Sequence, residues 1–176
     1  LASVLPEQAD SEISEQEMIR RNNEELVAAW GNLVQRVFAQ INNNFDKLGE
    51  ISDSEEIDKK LIFGFEDAYK NIGNLIEKVE LKSALQESMR CVSQVNAYLN
   101  ETEPWKIIKD DTKRAGRVLY TSLQAIDSCA NLLYPFMPAT SENVRNAIPK
   151  TTECKWGVNE IKRGVELGQL ELLFKK

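Results

Sequence analysis

The chain has 176 residues, 42% hydrophobic and 28% charged, with a formal net charge of −6, the balance of a folded globular domain and not of a disordered segment. It contains no histidine, which excludes a His-containing triad, a His zinc ligand and an imidazole general base. Three scattered cysteines, Cys91, Cys129 and Cys154, form no Cys-x-x-Cys pair, so reduced thiols in a cytoplasmic protein are expected and a metal site is not.

Glycine and proline are scarce and fall between long periodic stretches, which predicts a helical protein. Residues 1–15 open without Met and without the basic-then-apolar layout of a signal peptide. They are expected to be a connector cut from a longer polypeptide. Ser14-Glu15-Gln16-Glu17 is a candidate capping box. Beyond it Ile19, Leu26, Val27, Trp30, Leu33, Val34, Val37, Phe38, Ile41 and Phe45 recur at helical spacing, predicting one long amphipathic helix that ends near Asn42-Asn43-Asn44.

A polar turn from Gly49 to Ser54 follows, with Ser52 and Glu55 as a second candidate capping box. The next stripe is Ile57, Leu61, Phe65, Ala68, Ile72, Leu75 and Val79. After a break near Glu80 a third carries Leu81, Leu85, Met89, Val92, Val95 and Leu99. Pro104 suits the first turn of a short helix, where its missing N–H costs nothing. A further long helix is predicted from about Thr112 to Leu133, with Asp110 or Asp111 as its cap, then a shorter one over Ser141–Ile148. The stretch 155–176 reads as irregular with a short helix. Stripes joined by short connections predict an all-α antiparallel helical bundle over 16–150, followed by a tail over 151–176.

No apolar run approaches the ~20 residues needed to cross a bilayer, and the acidic total disfavours non-specific nucleic-acid binding. Neither a membrane nor a DNA partner is expected. The tightest basic cluster, Lys106, Lys109, Lys113, Arg114 and Arg117, directly follows Trp105; such a patch beside an aromatic can hold one strand or loop, and taken by itself it reads first as a solvated face. An indole at a helix start offers a flat face for an unstacked base, or it plugs the end of the bundle. Asn32 and Arg36, four residues apart, project from nearly the same side of their helix. Together they make a donor-rich pair for base edges or phosphate, or an ordinary solvated face. No catalytic constellation, phosphate-cradling glycine loop or metal motif is present.

Several segments together resemble the C-terminal part of the methionyl-tRNA synthetase family, which is class I. Trp30-Gly31-Asn32-Leu33-Val34-Gln35-Arg36 is similar to the family's Gly-Asn-Leu-x-x-Arg helix. Asn96-Ala97-Tyr98 followed by Pro104-Trp105 resembles its Asn-x-Tyr…Pro-Trp spacing. Leu133-Tyr134-Pro135-Phe136-Met137-Pro138 resembles a run shared with the synthetases for Leu, Ile and Val, and the close from Trp156 to Phe174-Lys175 resembles the tail that ends the family core.

The resemblance implies an anticodon-binding helical bundle in which Asn32, Arg36 and Trp105 meet the CAU anticodon loop of tRNA(Met). It also implies a missing catalytic half on the same polypeptide that holds ATP and methionine. The chain lacks His-Ile-Gly-His, the Lys-Met-Ser-Lys-Ser loop and a zinc knuckle. This stretch is therefore expected to bind no cofactor and do no chemistry alone, with residues 1–15 and 151–176 docking to the catalytic half and apolar surface left exposed at both ends. The competing reading is a purely structural helical bundle that binds a protein partner without recognising RNA.

Overall fold

The computed structural model describes residues 16, 19–20, 22–49, 51–151, 155–164, 166–170 and 173. The candidate box at Ser14 and the connector 1–15 lie outside them. A π-helical segment, Asn22–Gly31, runs into α1 (Asn32–Asn44). Then come α2 (Glu56–Glu77), α3 (Leu81–Thr102), the single turn α4 (Pro104–Ile107), α5 (Thr112–Leu133) and α6 (Pro138–Ala147). No strand occurs among the described residues; an isolated antiparallel bridge joins Lys150 and Ile161. No described helix is long and apolar enough to cross a membrane.

Helix α5 is the centre of the bundle, packed against α1, α2, α3, α4 and α6. From Ala115 to Leu133 every residue except Arg117 and Gln124 is buried. The apolar stripe Leu119, Leu123, Ile126, Ala130 and Leu133 lies in the core as its spacing predicts. Burial extends round the whole helix because neighbours surround it, so its polar residues must find partners inside. Ser122 Oγ donates to the Val118 carbonyl at 2.8 Å and Asn131 Nδ2 to the Lys155 carbonyl at 2.7 Å. The Asp127 carboxylate pairs with Lys150 Nζ at 2.9 Å and accepts from Asn159 Nδ2 at 3.3 Å. Each fully buried Leu or Ile here contributes about 1.5–3 kcal/mol. Gly116 lets the loop before α2 approach: a Cβ there would stand 3.0 Å from Ile51 Cγ2 and 3.4 Å from the Phe45 ring.

Local chemistry sets the ends of several helices. Asp111 caps α5, its carboxylate accepting from the Arg114 N–H at 2.9 Å, and Pro104 begins α4. Other ends depart from expectation. The winding ahead of α1 is π, not α; hydrogen bonds there run i→i+5, and over two turns the two windings place apolar residues too similarly for spacing to separate them. Ile19 is exposed, off the expected stripe. The reciprocal cap of α2 lies three residues on from Ser52: Asp58 Oδ2 accepts from the Glu55 N–H at 2.8 Å, while Ser52 Oγ turns to the Asp53 carbonyl.

Val79 leaves the α2 stripe altogether. It is 69% exposed with φ 61°, in the short reversal that turns α2 back along α3. Helix α6 begins at Pro138 and not at Ser141, because proline is well suited to a first helical position. The described part of the tail holds no helix and packs on the bundle: Tyr120 OH donates to the Ile161 carbonyl at 3.0 Å and Gly168 N–H to the Ala147 carbonyl at 2.8 Å. Trp156 sits edge-on to Tyr69, centroids 5.2 Å apart, and stays largely exposed.

Candidate nucleic-acid interface

The three predicted site residues lie on two elements at one corner of the bundle. On α1, Leu33, Val34, Val37, Phe38 and Ile41 face the core. That leaves Asn32 exposed and Arg36, one turn further along the same side, partly covered. Asn32 makes no side-chain hydrogen bond among the described residues. Trp105 reaches the corner from the reversal between α3 and α4. There Glu103 adopts the left-handed conformation, φ 40° and ψ 57°, a state that costs a non-glycine residue about 1–3 kcal/mol. The turn is closed by the Lys106 N–H donating to the Glu103 carbonyl at 2.8 Å.

The indole of Trp105 packs against the core but remains half-buried. It is therefore both a plug and a platform. The Arg36 guanidinium lies over its ring, Cζ 5.7 Å from the centroid, within range of a cation–π attraction. Arg36 Nη2 also donates to Asn96 Oδ1 on α3 at 3.1 Å. Its Nε–H is buried without an acceptor among the described residues, an arrangement that costs about 1–3 kcal/mol unless a partner arrives. Asn96 belongs to the Asn-x-Tyr motif, but spacing offered no signal that its amide meets an arginine 60 positions earlier.

The basic cluster divides. Arg114 turns inward, its Nη1 and Nη2 meeting the two Asp58 carboxylate oxygens at 2.6 and 3.0 Å, and its Nε meets Glu55 at 2.9 Å. Tyr98 OH donates to the same Asp58 at 2.5 Å. Burial alone would raise the Asp58 pKa, but the hydrogen bonds from Arg114, Tyr98 and the Glu55 backbone outweigh it and hold the carboxyl below its usual value. This network around the buried Asp58 ties the start of α2 to α3 and α5. Arg117 donates to the Ser52 carbonyl at 2.6 Å. Lys106, paired with Glu103 at 2.8 Å, and Lys109 stay exposed on the Trp105 side of the cluster.

The profile of the anticodon binding domain of methionyl tRNA ligase matches residues 48–176, and that of class I (M) tRNA synthetases matches residues 1–38. The methionine–tRNA ligase of Bifidobacterium adolescentis is 44% identical over 149 residues, 83% of this chain and 24% of that protein. That of Chloroflexus aurantiacus is 38% identical over 139 residues, 79% of this chain and 23% of that protein.

The methionyl-tRNA synthetase of Mycobacterium tuberculosis, in a crystal structure bound by methionyl-adenylate, superposes with a TM-score of 0.90. It is 20% identical and covers 99% of this chain and 36% of that one. The fold is thus that of a helical region of an aminoacyl-tRNA synthetase. The chain belongs to the methionyl-tRNA ligase family and contains its anticodon-binding domain. It spans about a quarter of the length of the curated relatives it matches.

Proposed function

We propose that this chain recognises the CAU anticodon loop of tRNA(Met). In this reading it is part of a longer cytoplasmic methionine–tRNA ligase, whose catalytic half holds ATP and methionine and attaches the amino acid. The chain binds neither cofactor and performs no chemistry itself; residues 1–15 and 151–176 dock it to the catalytic half.

The observation that carries this reading is the guanidinium of Arg36, which lies over a half-buried indole and whose buried Nε–H has no acceptor among the described residues. A splayed anticodon base supplies what the corner lacks. Its π-face rests on Trp105, and an acceptor on its edge meets the Arg36 guanidinium while Asn32 offers an amide beside it. A base with a donor at that position leaves the guanidinium unsatisfied, and this is the physical source of discrimination. Lys106 and Lys109 add a sequence-blind attraction for phosphate.

The test is titration of the chain with a CAU anticodon stem-loop and with the same loop carrying one changed anticodon base, at two salt concentrations. Preference for CAU that persists at both salts is expected. Equal, strongly salt-dependent binding to both loops would overturn base recognition, and no binding to either would favour the protein-binding bundle.

A further inference from the structure

We propose that Asn96 is the positioning residue of this site, holding the Arg36 guanidinium in place against Trp105 before any ligand arrives. The inference deepens the anticodon-loop reading and rests on it only where RNA is the readout. A primary amide offers two donors and a carbonyl acceptor, and all three functions are engaged here. Asn96 Oδ1 accepts from Arg36 Nη2 at 3.1 Å. Its Nδ2 donates to the Val92 carbonyl one turn back on α3 at 3.2 Å, and across to the Ala29 carbonyl of the π-helical segment at 3.2 Å.

These contacts fix the orientation of the amide. Turned over, it would aim N–H groups at a guanidinium that can only donate, and its oxygen at two carbonyls. The amide therefore joins three elements: α3, the segment that leads into α1, and the arginine that α1 presents. An arginine loses much rotamer freedom when it is ordered. Asn96 imposes that order before any ligand arrives, holding one edge of the guanidinium through Nη2. Serine is too short to span these partners, and leucine keeps the shape but removes every polar function.

The experiment compares Asn96→Leu and Asn96→Asp with the wild-type chain, alone and in an Arg36→Met background. Without RNA, the Trp105 indole N–H signal in a ¹⁵N–¹H spectrum should shift in Asn96→Leu, because the cation leaves the ring. The Trp156 signal, on another part of the bundle, should not move. Asn96→Asp retains an acceptor for Arg36, although its second oxygen then faces the Ala29 and Val92 carbonyls, so the Trp105 signal should stay nearer its wild-type position than in Asn96→Leu or Arg36→Met.

With RNA, Asn96→Leu should lower the CAU-to-changed-base affinity ratio by about threefold to tenfold, the range expected when one long side chain must be ordered on binding. It should lower the ratio no further once Arg36→Met is present. An unmoved Trp105 signal in Asn96→Leu, or losses that add in the double variant, would overturn the proposal. If Asn96→Leu does not fold, Asn96→Asp decides: a Trp105 signal displaced as far as in Arg36→Met overturns it, and one that stays nearer the wild type supports it. If the wild-type chain shows no loop preference, the RNA reading fails and the indole signals still decide the role of Asn96.

Discussion

Replacing Trp105 with alanine separates the two tasks that a half-buried indole performs. Truncating a fully buried tryptophan costs about 3–5 kcal/mol. Trp105 packs on the core with part of its surface in solvent, so the stability loss should be nearer ~2 kcal/mol. The lost attraction to Arg36 at 5.7 Å adds roughly 0.5–1 kcal/mol. A domain stable by ~5–15 kcal/mol survives that, with a melting temperature roughly 5–10 °C lower.

Stacking of one base contributes about 1–3 kcal/mol, so the Kd for a CAU stem-loop should rise by roughly 5- to 150-fold. Stacking is tolerant of base identity, and the Kd for a changed-base loop should therefore rise by a similar factor, leaving the ratio of the two nearly unchanged. Trp105→Phe should recover much of the affinity. Fluorescence anisotropy of a labelled stem-loop gives the affinities and circular dichroism the melting temperature. A lowered melting temperature with undiminished affinity for both loops would refute the reasoning, for the indole would then be a plug and nothing more.

Arg36→Gln should act differently: removing a charged donor, worth about 1.5–3 kcal/mol, should weaken CAU binding more than changed-base binding and so collapse the ratio measured in the same assay. Asp58→Ala should lower stability by about 3–5 kcal/mol in chemical denaturation, because it strands the shielded Arg114 guanidinium and the Tyr98 hydroxyl. The Asp58 pKa is lower folded than unfolded, so its contribution is complete above the unfolded value near ~3.9 and fades as pH falls through the folded value. Asp58→Asn should accordingly flatten the loss of stability of the wild type below about pH 4. Burial pushes the Cys91 thiol up to about 11 and that of Cys129 well above its usual value, so iodoacetamide at pH 8 should leave both unmodified until denaturant is added, as mass spectrometry of peptides would show.

Features that depend on neighbours within about four residues were legible in the sequence. The stripes of α2, α3 and α5 follow from apolar spacing, and the cap at Asp111 and the start of α4 at Pro104 follow from single side chains. The failures share a cause. Val79 continues the α2 stripe in spacing, yet the chain must reverse there to lay α2 along α3, and the reversal takes it out of the helix. The cap of α2 moved from Ser52 to the Glu55–Asp58 pair because Asp58 is drawn in by Tyr98 and Arg114 from two other helices.

The same division holds at the candidate site. The sequence by itself determined an all-α bundle, the family it resembles, and Asn32, Arg36 and Trp105 as candidate site residues. Periodicity and capping are local, and short motifs carry chemistry wherever the chain places them. Only the tertiary structure decided that Arg36 lies over Trp105, that Asn96 holds it there, and that Arg114 leaves the basic cluster for a buried carboxylate. Those partners are separated by 56 to 69 positions, and what brings them together is the packing of helices round α5.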